Sequence, residues 1–230
     1  MSPRFSIIIP VLHEQAVITA TIANLGELLC REDSDGEIIV VDGDAEGKTI
    51  ETLAGTGVKT ALGIKGRGNQ MNRGAALAEG DILLFLHADT RLPPGAFGLM
   101  ETALQNTGCR AGAFDLAIAS DRPVFRMIAG IASIRSRLTR IPYGDQGFFF
   151  HRDCFQELGG FATIPIMEDV EIMRRLKSRG EEIAIIPHPV MTSARRWERE
   201  GIIRCTLRNW ALIILYLCGV QPERLARCYR

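Results

Sequence analysis

Imidazole and carboxylate side chains bind divalent cations and move protons, and in this sequence they gather where apolar runs end. Residues 82–86 are five apolar side chains in a row, followed at once by His87-Ala88-Asp89-Thr90. A run so short and so uniformly apolar predicts a strand buried on both faces of a parallel sheet. Its carboxyl end is where open α/β sheets bind ligands. His87 and Asp89 stand two apart, so on a regular strand they share a face as a candidate metal pair. Taken alone, the same residues also read as a polar strand end entering the Pro93-Pro94 turn. Asp42 closes a second expected strand, 37–41, and on a parallel sheet lies along the same edge as Asp89. Glu168-Asp169 lies much further on, before a helical stretch where the helix dipole alone would favour acids. One carboxylate to hold a cation and another to accept a proton suit group transfer from an activated phosphate ester.

The elements that must position these residues follow from periodicity. Strands are expected at 5–12, 37–41, 58–62 and 82–86, alternating with helical stretches at 17–29, 48–53 and 69–79. That alternation predicts βαβ units in a mainly parallel sheet with helices on both faces. Beyond Asp89 the pattern becomes mixed. Helices are expected at 94–104 with Pro94 at the first position, then at 125–138, 152–158 and 170–176, and a long last one at 196–217. Strands are expected at 111–118, 147–151 and 183–186. One domain of 230 residues is expected, with a nucleotide-binding half (1–92), an acceptor and catalytic half (93–195) and a C-terminal helical segment (196–230).

Two loops imitate nucleotide motifs and fail on spacing. Gly43-Asp44-Ala45-Glu46-Gly47-Lys48-Thr49 has three residues between its glycines where a P-loop needs four. Gly66-Arg67-Gly68 lacks the third glycine of a dinucleotide fingerprint. Lysine plus arginine equals aspartate plus glutamate, 27 each, so no global field draws nucleic acid. The six cysteines show no CxxC pair, so neither a zinc finger nor a disulfide framework is expected. With no signal-peptide pattern and no apolar run of spanning length, a cytoplasmic protein is expected.

Six blocks of the chain resemble one known group in order and spacing: SIIIPVLHE, IIVVDGD, GRGNQMNRGAALAEGDILLFLHADTRLP, YGDQGFFF, PIMEDVEIMRRLKSRG and SARRWEREG. They resemble family-two glycosyltransferases of the GT-A fold, a Rossmann-like α/β architecture. More narrowly they are similar to a small bacterial subgroup associated with radical-SAM or selenium-domain genes. The resemblance implies a metal-dependent, inverting transfer of a sugar from a nucleotide-sugar donor, a UDP-sugar first, to a hydroxyl acceptor. Pro10, Glu14 and Asp42 would then line the base and ribose, with Arg67 near the base or diphosphate. His87-Ala88-Asp89 stands where the family carries its D-x-D motif for Mn2+ or Mg2+, so His87 replaces an aspartate there. Asp169, beside Glu168, would be the base. Arg196-Trp197 matches the end of a Q-x-x-R-W motif in which Ser193 replaces the glutamine, a departure that argues against a processive polysaccharide synthase.

On the acceptor side, Tyr143, Asp145 and Gln146 are the candidates for touching the acceptor. Between Arg122 and Arg140 the chain carries five arginines and no acid, with apolar residues at helical spacing. Such a helix can lie on a membrane surface, and it can equally be a core-facing helix with a solvated arginine face. Residues 210–220 are apolar but too short to span a bilayer, and suit an interfacial or homodimer contact. These features admit a lipid-linked acceptor and a location at the inner face of the membrane. A sugar-nucleotide pyrophosphorylase is the enzymatic rival, but it calls for a glycine-rich basic loop where Pro10-Val11-Leu12-His13-Glu14 stands. A degenerate, non-catalytic nucleotide-binding or membrane-surface module is the other rival, and the joint presence of Asp42, Asp89 and Asp169 speaks against it.

Overall fold

The computed structural model describes residues 3–105 and 108–229. Strands β1 (Phe5–Val11), β2 (Gly36–Asp42), β3 (Lys59–Leu62) and β4 (Ile82–Phe85) run parallel. Strand β6 (Phe148–His151) pairs antiparallel with β4 and with β5 (Cys109–Ala119), and β7 (Glu182–Ser193) lies parallel to β5. The result is one seven-stranded sheet in the order β3-β2-β1-β4-β6-β5-β7. The expected mixed, mainly parallel α/β sheet is therefore present. Beyond β1 the order turns back on itself, so the crevice outside the carboxyl ends of β1 and β4 is a topological switch point.

In β1, β2 and β4 the strands are largely apolar because both faces of the sheet are covered there, whereas the edge strand β3 is mostly exposed. Ile7, Ile9 and Leu84 pack into one buried cluster, with Ile18 and Leu25 of α1 (Ile18–Arg31) and Phe97 of α4 (Ala96–Gln105). Ile8, Leu83 and Phe85 point the other way. There they meet Met71 of α3 (Arg67–Leu77), Phe155 of α6 (Arg152–Leu158) and Ile172 of α7 (Glu168–Ser178). Each such fully buried side chain contributes about 1.5–3 kcal/mol relative to exposure. The second half adds α5 (Pro123–Thr139), α8 (Arg195–Glu200), α9 (Ile202–Leu217) and α10 (Pro222–Cys228), while α2 (Lys48–Glu51) sits in the first half.

Three expectations need correction, and one helix was not expected. Helix α4 begins at Ala96 rather than Pro94, because Gly95 takes φ 77°. The Glu32 carboxylate, from the end of α1, accepts the N–H groups of Gly95 (2.8 Å) and Phe97 (3.1 Å) and caps the helix from outside. The expected 183–186 strand is the start of a twelve-residue β7 that continues through Pro187-His188-Pro189. Proline is tolerated there because β7 is an edge strand and its register against β5 shifts at Phe114/Asp115. The expected single helix over 196–217 is two helices, α8 and α9, broken at Gly201 with φ 88°. Helix α10 had no sequence counterpart.

Candidate active site

The loop after β4 is held from both sides. Leu86 N–H donates to the Ile8 carbonyl (3.0 Å) and Thr90 N–H to the His87 carbonyl (3.1 Å). Arg91 and Met191 exchange two backbone hydrogen bonds of 2.9 Å, tying the loop to β7. His87 and Asp89 are thereby fixed at the carboxyl edge of the sheet.

Opposite them stands a 3-10 turn, Gly144–Gln146, reached from α5. Gly144 N–H donates to Asp169 Oδ2 (2.9 Å), while Asp169 Oδ1 accepts the N–H of Val170 (2.8 Å). A Cβ on Gly144 would lie 3.2 Å from His87 Nε2 and 3.3 Å from Asp169 Oδ2. Glycine keeps open a small space bordered by an imidazole and a carboxylate. Asp169 enters at the first turn of α7 from Met167, a bulky residue at φ 71°. That conformation costs on the order of 1–3 kcal/mol and is held here by burial of Met167 against Leu212 and Leu225.

Arg67 opens α3 and places Nε 2.7 Å from Glu168 Oε1, under a carboxylate only 2% exposed. The helix comes this close because the next residue is glycine: a Cβ on Gly68 would meet the Ala162 carbonyl oxygen at 2.7 Å. Burial pushes the Glu168 carboxyl up, and the charge of Arg67 pulls it back. The Glu168 charge in turn raises Arg67, which stays a cation. Burial, then the Arg67 charge, push His87 down to about 4, which leaves a neutral imidazole with a free lone pair. Burial, then Asp169, push Asp145 up to about 6.

Of the sequence-selected residues, Arg67, His87, Asp89, Tyr143, Asp145, Asp169, Arg196 and Trp197 line one cavity of about 220 Å3. Pro10, Glu14, Asp42, Gln146 and Glu168 do not. Asp42 is fully buried, its carboxylate accepting the N–H groups of Asp44 (2.9 Å) and Thr49 (3.0 Å), so it clips the β2–α2 loop. Gln146, selected as an acceptor contact, is fully buried too. Its amide donates to the Phe114 carbonyl and Ser136 Oγ and accepts from Tyr143 N–H and Arg135, so all its hydrogen-bonding capacity is used in bracing the turn. Glu168 sits beneath the cavity as the partner of Arg67.

Three residues of the site escaped the sequence reading. Arg195 Nη2 bridges Glu14 Oε2 (3.2 Å) and Asp89 Oδ2 (3.0 Å), joining the β1–α1 loop, the β4 loop and α8. Only its place beside Arg196 could have flagged it. Tyr229 hydrogen-bonds Arg196, whose guanidinium lies 4.1 Å from the centre of its ring. Asn209 of α9 lines the cavity as well. Nothing local in the sequence marks either residue.

Among the described residues, no three His, Cys, Asp or Glu side chains converge as a closed metal cage would. His87 and Asp89 both line the cavity and would form an open corner instead, with Asp89 Oδ2 here paired to Arg195 Nη2. Mg2+ and similar cations often take one or two protein ligands and complete their shell from substrate phosphates and water. The neutral imidazole and the space kept by Gly144 suit that use.

The sequence model of "Glycosyl transferase family 2" matches residues 6–159. A probable glycosyltransferase of Sulfolobus acidocaldarius is 27% identical over 213 residues, 82% of this chain and 45% of that protein. A PGL/p-HBAD biosynthesis glycosyltransferase of Mycobacterium bovis is 36% identical over 98 residues, 40% of this chain and 37% of that protein. The chain thus spans less than half the length of these relatives. Among solved structures, glucosyl-3-phosphoglycerate synthase from Mycobacterium tuberculosis, in complex with Mn2+, UDP and phosphoglyceric acid, superposes with a TM-score of 0.64. It is 19% identical, over 95% of this chain and 79% of that one. A mannosyltransferase from Pyrobaculum calidifontis, in complex with GDP-Man and Mn2+, gives 0.61 at 21% identity, over 84% of this chain and 57% of that one. At these identities the superpositions show a shared fold.

Proposed function

The chain belongs to glycosyl transferase family 2, and from that premise we propose that it catalyses metal-dependent, inverting transfer of a sugar from a UDP-sugar to a hydroxyl acceptor. We further propose that it belongs with the small bacterial subgroup its motifs resemble. Residues 1–92 supply the donor half, 93–195 the acceptor and catalytic half, and 196–230 the helices that close the cavity. The observation that carries the reading is the shared space at Gly144, which both His87 Nε2 and Asp169 Oδ2 border.

In this reading His87 and Asp89 hold a divalent cation, Mn2+ or Mg2+, which when bound neutralises the diphosphate leaving group. Arg67 and Arg196 add positive charge at the same cavity. Asp169, oriented by its two backbone hydrogen bonds, takes the proton from the acceptor hydroxyl. The acceptor oxygen bonds to the anomeric carbon from the face opposite the diphosphate, the old carbon–oxygen bond breaks, and the nucleoside diphosphate leaves with the bonding pair. Glu168 keeps Arg67 in place beneath them.

Calorimetry with UDP, with and without Mn2+, tests the donor side. Binding is expected to tighten with the metal, and Asp89→Ala is expected to remove that gain. Binding that ignores the metal removes the His87/Asp89 assignment, and selectivity for GDP over UDP replaces the proposed nucleotide.

A further inference from the structure

An apolar groove of about 380 Å3 borders α5 and α9 and opens into the cavity: Tyr143, Asp145, Val170, Trp197, Asn209 and Ile213 line both. Beside it run two exposed apolar stripes at helical spacing, of which Ile131, Trp210, Ile214 and Leu217 line the groove. Met127, Ile131, Ile134 and Leu138 are exposed on α5, and Leu207, Trp210, Ile214 and Leu217 on α9. Side chains of this size left in water forgo the burial that stabilises the rest of the fold. Neither helix carries an acidic residue.

The inner end of the groove has the opposite character. Trp197 Nε1, Thr206 Oγ1 and Asn209 Oδ1 are buried with no hydrogen-bond partner among the described residues. Leaving such groups unsatisfied is costly, and a polar ligand atom that meets them once these side chains turn toward the groove supplies the missing hydrogen bonds. The walls beyond them are aliphatic and aromatic. Polar atoms at the mouth of a catalytic cavity and apolar walls leading away from it are the complement of an amphiphile. A second copy of the chain laid over the stripes would cover their apolar surface but leave the three orphaned polar atoms unsatisfied.

We propose that the groove binds the hydrocarbon chain of an amphiphilic acceptor alcohol, with the hydroxyl end at Trp197, Thr206 and Asn209. The hydroxyl then enters the cavity that holds Asp169. Naming the hydroxyl end as the sugar acceptor rests on the glycosyl-transfer reading; binding of the chain does not.

The sequence contains two tryptophans, and both Trp197 and Trp210 line the groove, so intrinsic fluorescence reads its occupancy. The full chain is titrated with 1-hexanol, 1-octanol and 1-decanol. Affinity is expected to rise about tenfold for each two added carbons, the yield of burying that many methylenes. Ile131→Asp places a charge on the wall and Ala132→Phe fills the groove. Each is expected to weaken decanol binding at least tenfold while UDP affinity, measured in parallel, stays within twofold. Affinity independent of chain length, or unchanged in both variants, overturns the proposal. So does a dimer in sedimentation that Ile131→Asp dissolves while decanol fails to bind, which gives the face to a second copy. Phosphatidylglycerol vesicles that shift the fluorescence with no response to the alcohols give it to a bilayer surface instead, and also overturn the proposal. Alcohol binding as expected with no sugar transfer keeps the groove and removes the transfer reading. Transfer without alcohol binding does the reverse.

Discussion

The β1–β4 edge and the α5–α9 groove border the same cavity, yet they are made differently. The edge is built by the backbone. Parallel strands deliver His87 and Asp89 to one rim, and each is held by neighbours fixed through main-chain hydrogen bonds. The groove is built by side chains on helices whose outer apolar faces are exposed. Precision at the edge suits a phosphate-bearing donor that must be positioned within a fraction of an ångström. Breadth and apolarity in the groove suit a ligand held by area rather than by directed bonds. The difference teaches that the proposed donor and acceptor sites are legible with unequal sharpness. One is specified by hydrogen-bond geometry and the other only by shape and wetting.

Mutations at the seam between the two regions sharpen that contrast. The largest effect is expected from Asp169→Asn. Removing the proton acceptor should lower the transfer rate by about 10²–10⁴ while UDP binding stays nearly constant, read as turnover against calorimetric affinity. Full turnover in that variant would remove Asp169 from the chemistry. Asp42→Ala comes next and tests whether the edge is held by its clip. Losing a fully buried carboxylate that accepts two N–H groups should cost about 2–4 kcal/mol of stability, measured by denaturant melting, and Asp42→Asn should cost less. If both variants keep wild-type stability and lose only UDP binding, Asp42 contacts the nucleotide instead of the loop.

The smallest effect is a pH dependence at Asp145, where the cavity meets the groove. Its carboxyl is raised to about 6 in the folded chain from an ordinary value of 3.8. Between those values the folded state keeps the proton that the unfolded chain releases. Stability therefore falls as pH rises through that window, by on the order of 1–3 kcal/mol, and the penalty is complete above it. Asp145→Asn should flatten the profile and raise stability at pH 7 in the same melting experiment. A profile identical to wild type assigns the pH response to another group.

Much of the edge was legible beforehand, and for a definite reason. A strand covered on both faces is an unbroken apolar run, so 82–86 announced β4 and the residue after each run announced the rim. Asp89 and Asp169 could be selected by type and position, and the cavity contains both. Arg195, Tyr229 and Asn209 were not legible, because each reaches the site through the packing of the C-terminal helices. Gln146 was misjudged for a related reason: a polar side chain in a loop motif looks available until its four hydrogen-bond partners are seen. Helix α4 shows the same limit on a smaller scale. Pro94 looked like its start, but a carboxylate from Glu32, distant in sequence, fixes the cap.

By itself the sequence determined the alternation of strands and helices, the parallel sheet and the residues at its carboxyl edge, since these depend on local periodicity and on chain direction alone. Tertiary structure alone decided that His87 and Asp169 share the space at Gly144, that Asp42 and Gln146 turn inward as braces, and that a groove with unsatisfied polar atoms opens beside them. Those outcomes depend on distances between residues far apart in the chain, which no local pattern encodes. His87 and Asp169 lie on separate elements, and only the packed fold brings both against one glycine.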